Sequence, residues 1–144
     1  MILKEAKITD WKLLLDWRNE AEARKNSHTN AIVSQQAHKK WLHNSIVNSN
    51  RRLYIAFDNE TPIGTVRADF EDGKDVYLLS WTVAPQFRGK GFGKRMVKLL
   101  VSALKGQAKA EIIEGNKASI KIAEYAGLIF KEKREDILYY WIKK

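Results

Sequence analysis

The chain has 144 residues, no cysteine and a formal net charge of +9, with 44% hydrophobic and 30% charged residues. This composition predicts a single folded domain over 1–144 and excludes a disordered chain, a disulfide framework and a cysteine-based metal site or nucleophile. No apolar run is long enough to cross a membrane, and 1–7 lack the apolar core of a signal peptide. We expect a cytoplasmic protein, without a membrane partner, whose ligands are anionic because the chain is basic.

The first half of the chain predicts helices followed by antiparallel strands. Thr9 is placed to cap the first helix, in which Trp11, Leu14, Leu15 and Arg18 recur at helical spacing. The second helix has Ala37, Trp41, Leu42 and Ile46 on one side, and Asp72-Gly73 is a hairpin turn. The predicted elements are, in order, a strand at 2–8, a helix from Asp10, a helical turn to Arg24, a loop at 26–33, a helix from Ser34 and strands at 52–58, 63–70 and 75–84.

The second half predicts a strand–helix–strand arrangement. The strand at 75–84 is apolar on both faces and is expected to lie centrally. The later elements are a helix to about Leu104 with Met96, Leu99, Leu100 and Leu104 inward, a strand at 109–114, a helix at 117–126 ended by Gly127, and strands at 128–133 and 137–143. Hairpins followed by a parallel crossover predict an α/β (α+β) mixed sheet with helices on its faces.

Between the central strand and the next helix, three glycines alternate with basic or bulky residues. Gly89, Gly91 and Gly93 allow the backbone to approach a ligand closely, and the start of a helix presents unpaired N–H groups and a positive dipole end. Arg88, Lys90 and Lys94 add positive charge. The stretch therefore predicts an anion site for phosphate or pyrophosphate, although its spacing matches neither the Walker loop nor the dinucleotide-binding motif.

Two motifs resemble the GNAT superfamily of N-acetyltransferases. Its acetyl-CoA signature, Gln/Arg-x-x-Gly-x-Gly/Ala after the fourth strand, is similar to Gln86-Phe87-Arg88-Gly89-Lys90-Gly91. Its second motif begins with Asn and closes with Gly and a hydrophobic residue, like the run from Asn116-Lys117-Ala118-Ser119 to Ala126-Gly127-Leu128. The resemblance covers nearly the whole chain. It implies the GNAT fold, a mixed sheet of about six to seven strands with helices on both faces, and direct acetyl transfer from acetyl-CoA to a primary amine.

The resemblance also implies where acetyl-CoA binds as cosubstrate. The backbone N–H groups of the loop and helix start would bind the CoA pyrophosphate, at Arg88, Gly89, Lys90, Gly91, Phe92, Gly93 and Lys94. Thr82 and Val83 would pair with the pantetheine arm, and the Val83 N–H would bind the thioester oxygen. Asn116 and Ser119 would face the pantetheine and the sulfur. We expect no metal, because His28, His38 and His43 lack ligand spacing.

The chain departs from the family in its acid and base. Many members carry Tyr seven residues after the motif Asn as the acid for the leaving sulfur, and that position is Ala123. Tyr125, two residues further on, would face about 200° away on a helix. Ser119 or a water could replace the acid, since thiolate is a fair leaving group. The central strand has no Asp, Glu or His at 78–82, so Ser80 is the candidate there, as the ligand of a proton-carrying water or only as a small core residue.

The acceptor site is expected from the first two helices and the third strand. Trp17, Arg18, Asn19 and Arg67, with His38 and Trp41 one turn apart, resemble GNAT enzymes that acetylate nucleotide-activated amino sugars, as in pseudaminic-acid-type pathways. The alternative is structural: both tryptophans in the core, both arginines solvated and His38 at the surface. Lys105, Lys109 and the run from Lys131 to Arg134 are expected to be solvated, and Tyr139-Tyr140-Trp141 to form core and an edge contact.

Two further functions stay open at this point. One is a protein N-terminal acetyltransferase of the ribosomal-protein-modifying type, which also tolerates Ser in the second motif. The other is a CoA-binding or nucleic-acid-binding module that has lost catalysis, although we expect no nucleic-acid partner. A homodimer is compatible with the sequence.

Overall fold

The computed structural model describes residues 1–28 and 31–143. In chain order its elements are β1 (Ile2–Glu5), α1 (Trp11–Asn19), α2 (Ala21–Lys25), α3 (Gln35–Val47), β2 (Arg51–Asp58), β3 (Thr61–Glu71), β4 (Val76–Val83), α4 (Phe92–Ala103), β5 (Gln107–Ile113), α5 (Lys117–Tyr125), β6 (Ile129–Arg134) and β7 (Ile137–Ile142). Within the described ranges, no helix combines the length and apolarity that a membrane span requires. The predicted loop at 26–33 includes Thr29 and Asn30, which lie outside the described residues.

All seven strands belong to one mixed sheet in the order β1-β2-β3-β4-β5-β7-β6. The strands from β1 to β4 pair antiparallel with their neighbours. The β4–β5 pair is parallel, and β7 lies antiparallel between β5 and β6. The predicted fold class, a mixed sheet with β4 at its centre, is confirmed.

Two buried clusters lie on opposite faces of this sheet. Ala56 belongs to the cluster that packs against α4 and α5, and its neighbour Ile55 belongs to the cluster that packs against α1 and α3. Because successive side chains of a strand point to opposite faces, helices cover both faces as expected. The first face receives the amphipathic stripe of α4. The second face receives Leu14, Trp17 and Leu42.

Several sequence-based assignments of the buried side were wrong. On α3, His38, Leu42 and Ser45 are buried, whereas the predicted Ala37 and Ile46 are exposed. On α4, Leu99 is exposed, and the residues that share the buried side are Gly93, Met96, Val97, Leu100 and Val101. On α3 the buried side includes the polar residues His38 and Ser45, so the phase of burial differs from that of the apolar side chains. On α4 the buried side is apolar but is centred on Met96, Val97, Leu100 and Val101, and Leu99 falls outside it.

Two further corrections concern the first strand with the turn after it, and Lys109 on β5. The first strand stops at Glu5, and Thr9 caps no helix but lies in a short turn where Asp10 Oδ2 accepts a hydrogen bond from the Lys7 N–H at 2.8 Å. Lys109, expected in solvent, is only 7% exposed. Its Nζ lies 2.7 Å from Glu71 Oε1 and 5.4 Å from the centre of the Trp141 ring, and a buried lysine requires such a partner.

Candidate active site

A groove opens at the centre of the sheet where β4 and β5 separate. Their pairing ends at Leu79 and Ala110, although β4 continues to Val83 and β5 to Ile113. The groove has a volume of about 330 Å³. Among the residues that line it are Trp81, Thr82 and Val83 from β4, Ile112 and Ile113 from β5, and Asn116, Ser119 and Ile122 at α5. The separation exposes strand-edge backbone groups that a ligand can use.

The backbone of Val83 faces this groove. The Ala84 N–H donates to the Ile63 carbonyl on the β3 side at 2.9 Å. Because N–H groups alternate in direction along a strand, the Val83 N–H points away from β3 and toward the groove. The Val83 carbonyl lies on the same side and accepts a hydrogen bond from Arg88 Nε at 3.1 Å.

The glycine loop and the start of α4 lie beside the groove, where Gly93 packs close to Ile122 and Val83, and of the residues 88–94 only Arg88 lines it. Gly89 and Gly91 have φ values of +74° and +82°, which side-chain-bearing residues rarely adopt. Gly91 is the N-cap of α4 and supplies no side-chain cap, so the N–H groups of the first turn remain available. A Cβ at Gly93 would lie 2.5 Å from Ile122 Cδ1, so this glycine lets the start of α4 pack against α5.

The side chain of Arg88 fastens α2 to the loop. Its guanidinium lies 2.8 Å from Glu20 Oε2 and 3.1 Å from Glu22 Oε2. The hydrogen bond with Arg88 is the main cause that lowers the pKa of Glu20 to about 2, and the N–H groups of Glu22 and Ala23, which Glu20 caps, lower it further. Arg88 therefore belongs to the expected anion loop through its backbone, while its side chain fixes the neighbouring helix.

The beginning of α5 forms the opposite wall. Asn116 Oδ1 accepts a hydrogen bond from the Ser119 N–H at 3.2 Å, which caps the helix. Ser119 Oγ accepts a hydrogen bond from Trp81 Nε1 at 3.2 Å. Ala123 is fully buried, so the position of the usual tyrosine holds no polar group. Tyr125 is 49% exposed and lies over Lys94 and Lys98, which confirms that it faces away from the groove.

A second cavity of about 420 Å³ lies on the α1 and α3 face of the sheet. It is lined by Leu14, Trp17, Arg18, Val33, Ala37, His38, Trp41, Leu53, Thr65, Val66, Arg67, Ser80, Trp81 and Thr82. Five of these residues also line the groove: Arg18, Arg67, Ser80, Trp81 and Thr82. The two spaces therefore meet beside β4, so a ligand in one can touch a ligand in the other.

A charged network holds Arg67 at this junction. Its Nε lies 3.2 Å from Asp69 Oδ2, and its Nη2 donates to Ser80 Oγ at 3.4 Å. Asp69 is held in turn by Arg51, whose Nε lies 2.7 Å from Asp69 Oδ1. The guanidinium carbons of Arg51 and Arg67 each lie 5.7 Å from the centre of the Trp41 ring. Burial lowers the pKa of Arg67 and Asp69 opposes this shift, and a guanidinium remains cationic at neutral pH.

The residues expected from α1 divide in role. Trp17, 5% exposed, is part of the core and also lines the cavity, and Arg18 lines both spaces. Asn19 was expected to contact the acceptor substrate, but the structure gives it another role. Its amide donates to the Val33 carbonyl and accepts from the Val33 N–H, both at 2.8 Å, and it lines neither space. Asn19 therefore positions Val33, which forms part of the cavity wall.

His38 is buried, contrary to the alternative that placed it at the surface. It is 3% exposed, lines the cavity, and stacks on Trp41 with ring centres 5.6 Å apart. Its Nε2 has no hydrogen-bond partner among the described residues. Burial lowers the pKa of His38, a hydrogen bond with the Trp11 backbone opposes the shift, and the charge of Arg18 adds to it. The cavity therefore contains a neutral imidazole at neutral pH.

Glu111 is a groove residue that the motif search missed. Leu79 and Ala110 are register partners with both side chains in the α4-side cluster, so the next residues, Ser80 and Glu111, project from the other face across the mouth of the groove. Glu111 Oε1 lies 3.6 Å from His28 Nε2, whereas Glu22, the other carboxylate of the groove, is held by Arg88. The signal in the sequence was an acidic residue between apolar Ala110 and Ile112 on a strand that leads to Asn116.

Comparison with known proteins identifies the family. The model of the acetyltransferase (GNAT) family matches residues 11–128. The chain therefore belongs to the GNAT family and is an acetyl-CoA-dependent N-acetyltransferase. The family membership therefore argues against the alternative hypothesis of a binding module that has lost catalysis. No curated protein sequence shows significant similarity to the chain.

Solved structures share the complete fold. A domain from Methanocaldococcus jannaschii DSM 2661 has a TM-score of 0.86 and 25% identity, over 99% of this chain and 97% of that one. AAC(6')-Ib in complex with ribostamycin and coenzyme A has a TM-score of 0.87 and 19% identity, over 99% and 92%. RimL, a ribosomal L7/L12 α-N-protein acetyltransferase in complex with coenzyme A, has a TM-score of 0.85 and 14% identity, over 98% and 92%.

The neutral His38 generates a prediction about stability. Its pKa in the folded protein is lowered from the ordinary value of about 6.5, so below that pH the unfolded chain binds more protons. The free energy of unfolding should have its full value above pH 6.5. It should fall by up to about 1.4 kcal/mol per pH unit as the pH drops toward 5. Urea unfolding across this range measures the slope. His38→Asn should remove it, and His43→Asn, at an exposed position of the same helix, should retain it. Equal slopes in the three proteins would contradict the prediction.

Proposed function

We propose that this N-acetyltransferase acts on the primary amine of a small anionic acceptor, a nucleotide-linked amino sugar. The observation that supports the proposal is the charge of the second cavity, on the α1 and α3 face, which we call the acceptor-side cavity. Arg18 and Arg67 line it, and none of its described lining residues is acidic. Guanidinium groups favour phosphate, which they bind through charge-assisted hydrogen bonds.

The same charge argues against polycationic acceptors. Spermidine N-acetyltransferase from Vibrio cholerae has been solved with spermine, and AAC(6')-Ib with ribostamycin. Both ligands carry several amines, which would meet two arginines here and no described carboxylate in the cavity wall. Repulsion between like charges in a partly buried cavity costs binding free energy.

The aromatic lining supports a ring-bearing acceptor. Trp17 and Trp41 are among the cavity residues, and the volume of about 420 Å³ is within the range of small-molecule sites. Aromatic side chains give a nucleobase or sugar ring a flat apolar contact, while the arginines bind the diphosphate.

We place the cosubstrate in the groove between β4 and β5. The N–H groups of the glycine loop and of the first turn of α4 suit the pyrophosphate, at Arg88, Gly89, Lys90, Gly91, Phe92, Gly93 and Lys94. The open strand edge at Val83 suits the amide-bearing pantetheine arm, and Asn116 and Ser119 lie along the opposite wall. Thr82 also lines the groove, but the alternation along β4 turns its backbone groups toward β3. Acetyl-CoA supplies the activated acetyl group as a thioester.

Three groups at the junction would perform the transfer. The Val83 N–H would donate to the thioester oxygen and stabilise the negative charge that develops there. Glu111 would accept the proton of the amine through a water, which the Ser80 hydroxyl would help to hold at the mouth of the groove. Val83 and Ser80 are thus proposed catalytic residues that the sequence already indicated, as is Ser119 on the opposite wall, and Glu111 is added by the register of β4 and β5. We also propose that residues 1–144 form a single domain and that the enzyme acts in the cytoplasm.

The anion site can be tested by charge in the glycine loop. Gly91→Glu should abolish the thermal stabilisation by acetyl-CoA, because it places a carboxylate where the pyrophosphate binds. Gly106→Glu is the matched control, since Gly106 also has a positive φ, +103°, with no atom within 4 Å of its Cβ position, as at Gly91. Differential scanning fluorimetry measures both shifts. A full shift with Gly91→Glu would exclude the loop as the site.

The acceptor class can be tested at Arg67 and Arg18. Replacing either by Ala should raise the KM of a UDP-amino sugar about tenfold or more, since charge-assisted hydrogen bonds contribute about 1.5–3 kcal/mol. The KM of acetyl-CoA should change little, and the effect should vanish with the free amino sugar. Steady-state kinetics with both acceptors measure this. Unchanged KM values for the nucleotide-linked acceptor would favour a peptide N-terminus instead.

The proton acceptor can be tested by one isosteric change. Glu111→Gln should lower kcat by about 10²–10⁴-fold, the usual contribution of a general base, while acetyl-CoA binding persists. Glu114→Gln is the control, because Glu114 is exposed and pairs with Lys133 at 2.6 Å. Retention of more than about a third of kcat by Glu111→Gln would remove Glu111 from the mechanism.

A further inference from the structure

The side chain of Arg88 connects the glycine loop with two other parts of the site. Its Nε donates to the Val83 carbonyl in the groove at 3.1 Å, and its guanidinium lies 2.8 Å from the Glu20 carboxylate and 3.1 Å from that of Glu22. The side chains of Arg88 and Glu20 are only 26% and 24% exposed. A charge-assisted hydrogen bond that is partly shielded from water keeps its geometry better than an exposed ion pair does. The loop and α2 are therefore joined through one guanidinium.

Helix α2 depends on this contact because it is short and lies at the surface. None of its described residues, Ala21–Lys25, is buried, and a helix of five residues is not stable by itself. The N–H groups of Glu22 and Ala23 donate to the Glu20 carboxylate at 2.9 and 3.1 Å, so the carboxylate that caps α2 is the one that Arg88 binds. Segments with few buried apolar contacts open locally at a low cost in free energy. The order of α2 is therefore a property that a ligand can change.

Helix α2 also carries part of the groove wall toward the proposed proton acceptor. Glu22 and Ala23 line the groove, and so does His28, which follows the helix. His28 Nε2 lies 3.6 Å from Glu111 Oε1. Opening of α2 would thus displace the wall beside Glu111, where the amine of the acceptor must lose its proton.

We propose that Arg88 couples the binding of acetyl-CoA to the order of α2, and through α2 to the acceptor end of the groove. The pyrophosphate binds backbone N–H groups of the glycine loop and so restricts the backbone from which the guanidinium projects. This favours the contacts of Arg88 with Glu20 and Glu22 and disfavours the opening of α2. Because coupling between two sites is reciprocal, an acceptor that contacts the ordered wall tightens acetyl-CoA by the same factor. Arg88 acts here as a positioning residue. The proposal rests on cosubstrate binding at the glycine loop and not on the identity of the amine.

Amide hydrogen exchange tests the coupling without turnover. The Arg24 N–H donates to the Glu20 carbonyl at 3.0 Å, and the Asn26 N–H donates to the Glu22 carbonyl at 3.1 Å. The exchange of these two amides, measured by NMR, therefore reports the opening of α2. Saturating coenzyme A should slow both amides at least about fivefold, the lower end of usual coupling factors. Unchanged exchange would overturn the proposal. Faster exchange would overturn it as well, because the pyrophosphate would then be drawing Arg88 away from α2.

A double variant assigns the effect to the ion pairs of Arg88. Glu20→Gln combined with Glu22→Gln keeps an oxygen that can cap α2 and removes both charges that bind the guanidinium. The double variant should still bind coenzyme A, which a thermal shift verifies, but the slowing of exchange should be lost. Asp16→Asn is the control and should retain the slowing, because the Asp16 carboxylate is exposed and lies 3.6 Å from exposed Lys12. Equal slowing in the double variant and the wild type would remove Arg88 from the coupling.

Acceptor binding gives a second readout of the same coupling. Isothermal titration with a UDP-amino sugar should show binding about fivefold or more tighter when coenzyme A is present, and no such difference in the double variant. Equal affinities with and without coenzyme A in the wild type would contradict the coupling. If UDP-amino sugars do not bind at all, the proposed acceptor class fails, while hydrogen exchange in α2 still decides the role of Arg88.

Discussion

The early end of the β4–β5 pairing is the constraint on which the rest of the site depends. Each strand is held from its other side beyond Leu79 and Ala110: β4 by β3 as far as Val83, and β5 by β7 as far as Ile113. The gap between them therefore persists although β4 and β5 do not pair at that point. It leaves backbone donors and acceptors unpaired, and such groups gain free energy when a ligand completes their hydrogen bonds. The central sheet thus contains a binding edge as part of its own topology.

Charges around this gap are fixed before any ligand enters. Asp69 holds Arg67 and Arg51 together on the acceptor side, while Glu20 and Glu22 hold Arg88 beside the glycine loop. Side chains that are already ordered lose little further entropy on binding, and oriented dipoles and charges need little reorganisation as charge develops. Arg88 also fixes part of the groove wall, because the helix that it fastens carries Glu22 and Ala23, which line the groove.

Family membership and the geometry divide the question of function into two parts. Acetyl transfer follows from the family. The acceptor follows from no neighbour, since structures of the same fold hold a polyamine or an aminoglycoside and another acts on a ribosomal protein. In this chain the cavity on the α1 and α3 face is lined by tryptophans, arginines and a neutral histidine. The acceptor is thus encoded in side chains on a shared scaffold.

The sequence by itself determined the mixed sheet, the place of β4 at its centre, the glycine loop before a helix and the outward direction of Tyr125. These features depend on local periodicity, turn chemistry and helical geometry, which a single segment contains. Only the tertiary structure decided that His38 and Lys109 are buried, that Asn19 bonds Val33, and that Glu111 faces Ser80 across the groove. Each of these depends on a partner from a different part of the chain: a helix face against a sheet, a carboxylate beside a lysine, or the register of two strands. Their energies come from long-range packing and desolvation, which no local pattern specifies.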